Sequence, residues 1–255
     1  MTLPDGPPAD PWATLRRHTP ARIALGRSGV SLPTAELLRF AAAHAQARDA
    51  VHVPLDAAAL QSQIESAGWT ALVVQSRASH RHEYLRRPDL GRRLNEADAP
   101  RVQGAAAAPA CDLALVLGDG LSALALQRHA APLVLALHHA LGGELRWGPI
   151  VIATQARVAL GDEIGALLQA RVALMLVGER PGLCSPDSLG AYLTHTPRVG
   201  RSDAERNCVS NIRPEGLAPA VAAERIAWLL REALHRGLSG VALKDNSEIE
   251  RIEPR

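Results

Sequence analysis

The sequence predicts an α/β fold: a Rossmann-like, mostly parallel sheet with helices on both faces, preceded by a helical N-terminal part. Three observations carry this. Short apolar runs recur through the second half, as "DLALVLG" (112–118), "PIVIATQ" (149–155) and "RVALMLVG" (171–178). Segments of helical length separate them. The runs are apolar at nearly every position instead of alternating, as strands covered on both faces are. The expected division is a helical and extended region over 1–100, the α/β domain over 101–244, and a charged tail over 245–255.

The elements follow in order. Residues 1–13 read as a flexible lead-in, with four prolines among the first eleven residues. "PTAELLRFAAAHAQARDA" (33–50) predicts a helix with Leu37, Leu38, Ala41, Ala42 and Ala45 on one face; Pro33 suits its first turn. "TALVVQS" (70–76) is a candidate strand, and the small-residue run "RVQGAAAAPA" (101–110) a joint. The segment after "DLALVLG" is helical in length, with an interruption expected at Pro132. "GDEIGALLQA" predicts a short helix and "NCVSNI" (207–212) a strand. "APAVAAERIAWLLREALHRG" (218–237) predicts an amphipathic helix facing Ile226, Leu229, Leu230, Ala233 and Leu234 inward, with Gly237 as its cap. From the end of "RVALMLVG", residues 177–216 read as a long irregular segment rich in Gly, Pro, Ser and Arg, with no strand or helix period over most of its length.

Composition excludes several function classes. A net charge of +2 and 3% aromatic residues do not make a nucleic-acid surface. Lys244 is the single lysine. No apolar run is long enough to span a bilayer, and "MTLPDGPPADPWATLRRHTP" lacks the form of a signal peptide, so a cytoplasmic protein is expected. The three cysteines, Cys111, Cys184 and Cys208, form no C-x-x-C pair, and each reads by default as a small buried hydrophobe. The histidines match no metal-ligand spacing, so no metal site and no catalytic acid–base or nucleophile set is assigned.

In a doubly wound sheet, ligands sit beyond the carboxyl ends of the strands. That places a crevice around 118–122, 155–158, 178–188 and 206–213. "GDGLSA" (118–123) fits G-x-G-x-x-A loosely, although no acidic residue ends the next strand where a ribose partner belongs. A stand-alone dinucleotide-dependent oxidoreductase therefore stays open beside a plain glycine turn. Glu179 in "VGERPG" is positioned either to accept from a ligand or to bond Arg180. The arginine block "RRPDLGRR" (86–93) is expected outside the crevice, at a subunit contact.

Together "YLRRPDLGRRL", "GDGLSALA", "ARVALGDEIGALLQARVALMLVGERPGL", "SPDSLGAYLTHTPRVGRSDAERNCVSNIRPEG" and "SGVAL" resemble the small (light) subunit family of ethanolamine ammonia-lyase, over roughly residues 12–244. The resemblance implies one chain of a bacterial, adenosylcobalamin-dependent radical enzyme that converts ethanolamine to acetaldehyde and ammonia. In that family a large subunit carries the substrate site, and the small subunit helps enclose the cobalamin. The family's cobalamin-contacting positions fall on Val158, Glu179 and Cys208. No D-x-H-x-x-G motif occurs, which agrees with a family whose cofactor keeps its own benzimidazole on cobalt. Some members carry an N-terminal helix for packaging in a microcompartment; "MTLPDGPPADPWATL" does not resemble one. A purely assembling subunit, touching no ligand, is the remaining alternative.

Overall fold

The computed structural model describes residues 12–19 and 21–247. The lead-in expected over 1–13 and the tail over 245–255 thus lie largely outside the described residues.

Six strands form one sheet: β1 (Ala71–Gln75), β2 (Leu113–Gly118), β3 (Ile150–Thr154), β4 (Val172–Gly178), β5 (Leu189–His195) and β6 (Arg206–Ile212). Their order is β1-β3-β2-β4-β5-β6. The first four are mutually parallel, whereas β5 and β6 are each antiparallel to the preceding strand. The mostly parallel α/β architecture is as the sequence predicts. The edge strand β1 comes from residues before 101, ahead of the small-residue joint.

The helices are α1 (Thr34–His52), α2 (Ala57–Ser66), α3 (Arg81–Arg86), α4 (Ala99–Gly104), α5 (Ala123–Leu141), α6 (Leu160–Leu167) and α7 (Pro219–Arg236). Strand alternation divides the core in two. Leu113, Leu115 and Leu117 of β2 pack with α2, α5 and α7 on one face. Ala114 and Val116 pack with Val102 of α4 and Leu160 and Ile164 of α6 on the other. Period-two side chains buried on both sides are what make β2 and β4 read as unbroken apolar runs.

The interruption expected at Pro132 does not occur, and α5 runs through it. A proline inside a helix costs about 3 kcal/mol. Leu133, Val134 and Leu137 around it are fully buried, and each such burial contributes about 1.5–3 kcal/mol. Packing therefore outweighs the lost hydrogen bond. α7 ends as expected, with Gly237 in the left-handed region (φ 68).

The strand expected at 207–212 forms as β6, but the irregular reading of the residues before it is corrected. β5 lies there, and Leu189, Ala191 and Leu193 face the core while Gly190 and Tyr192 face the other way. The segment's glycines, prolines and charged residues hid that alternation. α1 forms as predicted, but its apolar stripe has no cover among the described residues. Only Ala43 and Ala50 are buried, while Leu37, Leu38 and Phe40 are 55%, 64% and 43% exposed. The helix is tied down at its far end, where Arg81 Nε donates to the Val51 carbonyl at 2.6 Å.

Candidate functional site

The connections leaving β2 and β3 run to opposite faces of the sheet, one into α5 and the other into α6. Such a divergence opens a crevice at the carboxyl ends of the strands. Here the chain fills it. Asp119, directly after β2, is almost fully buried and accepts from the backbone N–H groups of Gln155 and Ala156, both at 2.9 Å. Arg81 lies 3.6 Å from the same carboxylate and donates to the Gly120 carbonyl at 2.7 Å. Burial pushes the Asp119 carboxyl up, against the pull of the Ala156 and Gln155 N–H groups and Arg81.

The glycines of "GDGLSA" answer to the same packing. Gly120 has φ 56, and a Cβ there would lie 2.1 Å from the Gly178 carbonyl oxygen. Leu121 N–H donates to that oxygen at 2.9 Å, and Ser122 caps α5 while donating to the Pro186 carbonyl. The turn is thus clamped onto the end of β4. Its polar groups bond the protein itself, which favours the plain glycine turn among the two readings the sequence left open.

Open space lies beside this plug, towards the face that carries α6. A cavity of about 430 Å³ is lined by Tyr84, Leu121, Val158, Val177, Glu179 and Tyr192, among others. Two of the three sequence-predicted contacts, Val158 and Glu179, meet in it. The third, Cys208, sits on β6 directly opposite Tyr192 of β5, on the same face of the sheet. All three therefore converge on one surface. α7 covers the opposite face of β5 and β6.

Glu179 is half-buried at the exit of β4. Its Oε2 accepts from the Ser188 hydroxyl and from Asn211 N–H. It therefore ties β5 to β6 and does not pair with Arg180. Its Oε1 makes no hydrogen bond among the described residues. A Cβ on Gly190 would come within 2.9 Å of that oxygen, so a glycine keeps it clear.

Cys208 and Cys184 are exposed and only Cys111 is buried, so the core reading of cysteine holds for one of three. Desolvation by its neighbours pushes the Cys208 thiol up, and the Glu179 carboxylate adds to this against the Tyr192 hydrogen bond. Desolvation likewise raises Tyr192, with contributions from Cys208 and Glu179. At neutral pH both groups are uncharged.

Tyr84, which sequence reasoning passed over, forms the opposite wall. Its ring lies between Arg81 and Arg157, whose guanidinium carbons are 4.8 and 4.7 Å from its centroid. Its hydroxyl donates to the Ala156 carbonyl at 3.2 Å, and burial pushes its pKa up to about 12. The chain has two tyrosines, and both line this cavity. In a protein with 3% aromatic residues that scarcity was a usable signal.

The arginine block also needs correction. Arg92 and Arg93 lie on the wall of a second cavity, of about 640 Å³, that shares Arg157 and Val158 with the first. They rim the crevice instead of standing apart from it. Arg93 is held by Glu163 in a two-bond pair at 3.0 and 3.1 Å.

Among the described residues no group of acidic, His and Cys side chains could hold a metal ion, and no helix is long and apolar enough to cross a membrane.

Comparison with known proteins agrees with the resemblance. Residues 9–244 match the family model described as "Ethanolamine ammonia-lyase light chain (EutC)". A protein of Xanthomonas campestris pv. campestris (strain ATCC 33913) named "Ethanolamine ammonia-lyase small subunit" is 54% identical over 97% of this chain and 92% of its own length. Proteins of the same name from Pseudomonas aeruginosa (strain UCBPP-PA14) and Ralstonia nicotianae are 54% and 55% identical, covering 98% and 96% of this chain and 93% and 92% of theirs. A match of this extent, carried through both the sheet and the crevice loops, establishes that the chain belongs to the ethanolamine ammonia-lyase small-subunit (light-chain) family.

Proposed function

We propose that this chain is the small subunit of a cytoplasmic, adenosylcobalamin-dependent ethanolamine ammonia-lyase, and that its crevice surface encloses the cofactor against a large subunit. The observation that carries this is the convergence of Val158, Glu179 and Cys208, from three separate elements, on one surface at the carboxyl ends of the strands. The residues there fit the group. Val158, Leu121, Val177 and the Tyr192 ring give an apolar floor. Glu179 Oε1 is a held acceptor for an amide N–H or a ribose hydroxyl, in a position that a side chain at Gly190 would crowd. Large ligands are bound this way, by broad apolar contact with a few placed polar groups.

When bound, adenosylcobalamin supplies a cobalt–carbon bond whose cleavage starts radical chemistry. The work of this chain is to bind and orient, and to exclude water from one side. We assign it no catalytic acid or base, and turnover is proposed to need the partner. The uncovered stripe of α1, with Leu37, Leu38 and Phe40, is our proposed docking face for the large subunit. It adjoins the crevice: Arg22 stacks 5.8 Å over Phe40 and donates to the Leu183 carbonyl at 3.4 Å, in the loop that follows Glu179. Packaging in a microcompartment turns on N-terminal residues largely outside the described ones.

The test is an absorbance titration of adenosylcobalamin into the two-chain complex. Val158→Asp and Cys208→Arg should each weaken binding at least ten-fold, while co-purification of the two chains persists. Unchanged affinity in both variants would make this a purely assembling subunit. Saturable NAD binding by the chain alone would revive the dinucleotide reading.

A further inference from the structure

The second cavity has a charge arrangement that the enclosure of a corrin ring does not explain. It is of a size that takes a nucleotide-sized group. Most carboxylates around it are already committed. Asp89 is paired with Arg87 at 2.6 Å, Glu163 with Arg93, Glu205 with Arg201, and Asp203 and the buried Asp162 with Arg206. Two cations on its wall have no carboxylate among the described residues, Arg92 and Arg157.

Arg157 is held in place by its stack on Tyr84 and by one bond from Nη2 to the Tyr84 carbonyl at 3.1 Å. Its Nε is buried with no acceptor, and so is the Nε of Arg206, whose side chain is 97% buried in the same wall. A guanidinium fixed by stacking, with donor capacity to spare, is suited to a bidentate oxyanion. Leaving such charge half-buried and unpaired is costly, so the arrangement implies a counter-charge that arrives with a ligand.

We propose that this cavity is an anion site, formed around Arg92 and Arg157, that takes the phosphodiester of the cofactor's nucleotide tail. The proposal rests on the cobalamin reading above. It deepens that reading by giving the tail its own subsite, joined to the corrin surface through Arg157 and Val158, which line both cavities. Arg157 is the preorganised half of the clamp. Arg92, exposed on the surface, closes on the phosphate from the solvent side and sets the salt dependence of binding.

The experiment compares two ligands on the two-chain complex. Adenosylcobinamide has the corrin ring of adenosylcobalamin without the nucleotide and its phosphate. Arg92→Ala should weaken adenosylcobalamin about ten-fold, the loss expected for one charge-assisted contact, and leave adenosylcobinamide within about two-fold. Arg92→Lys should recover part of the loss. Arg231→Ala, at an exposed pair with Glu144 on α7, is the control and should change neither affinity. The melting temperature of Arg92→Ala should equal that of the wild type, since no folded partner is lost. Equal losses for both ligands, or no loss for either, would overturn the proposal. If the wild type binds neither corrinoid, the cofactor reading itself fails. An anion site then stands only if inorganic phosphate binds the full chain with an affinity that Arg92→Ala lowers.

Discussion

Asp119 offers a direct test of what the "GDGLSA" turn does. Its two carboxylate oxygens accept from Ala156 N–H and Gln155 N–H, both at 2.9 Å, in a position with almost no solvent access. In Asp119→Ala neither donor has a replacement, and each unpaired buried N–H costs about 1–3 kcal/mol. Arg81 keeps its bonds to Val51 and Gly120 but loses its nearest carboxylate. A loss of about 2–6 kcal/mol follows, and for a chain of this size about 2–4 °C of melting temperature accompanies each kcal/mol. The melting temperature should therefore fall by about 4–24 °C. Asp119→Asn keeps one oxygen and turns an amide NH2 towards the other donor, so its fall should be smaller, about 2–12 °C. Urea melts should shift in midpoint with little change in slope. If Asp119→Ala melts within about 2 °C of wild type, the carboxylate does not hold these loops together, and the turn has to be reconsidered as a ligand-binding loop.

Three further outcomes follow from the same geometry. Glu179→Gln keeps an acceptor for Asn211 N–H and should hold the melting temperature within about 2 °C, whereas Glu179→Ala frees the Ser188 and Asn211 donors and should lower both stability, by about 1–3 kcal/mol, and cofactor affinity; loss of stability in Glu179→Gln equal to that in the alanine variant would contradict this. Gly190→Val should reduce corrinoid binding and also lower the melting temperature, because Gly190 is buried and the added carbons press on Glu179 Oε1 and Tyr192; unchanged affinity would show that the cradle is unused. Glu205 accepts from Ser202 N–H, Arg201 and the Ser202 hydroxyl, which holds its folded pKa at about 2, below the ordinary 4.5. A depressed acid contributes stability above its unfolded pKa and loses it as pH falls through its folded pKa. Glu205→Gln should therefore flatten the acid limb of the stability curve between about pH 4.5 and 2 and leave its slope near pH 7 unchanged, as read by urea midpoints across pH.

The sequence by itself determined the fold class, because "DLALVLG" and "RVALMLVG" are buried on both faces and leave a signature that needs no tertiary knowledge. It also pointed to the crevice in which we propose the site, since loops at the carboxyl ends of parallel strands are where ligands meet a doubly wound sheet. The three candidate contacts came from the resemblance and not from spacing. Val158, Glu179 and Cys208 are far apart in the chain, and only strand order brings them together.

The tertiary structure decided the rest. It placed β4 beside β2, so that Gly178 meets Gly120 and the loop that resembles a phosphate cradle is sealed by Asp119 and Arg81. It turned Glu179 from a rim residue into a tie between β5 and β6, through two donors that no local pattern links to it. It moved Arg92 and Arg93 from an expected place outside the crevice to the wall of a cavity, beside Arg157. It left the stripe on α1 uncovered, though periodicity alone describes that stripe as it would a core face. The physical reason is common to all four. Local periodicity reports which faces are apolar and where turns fall. Charge pairing, close backbone approach and the cover of a surface depend on which segments become neighbours, and that is set by sheet order.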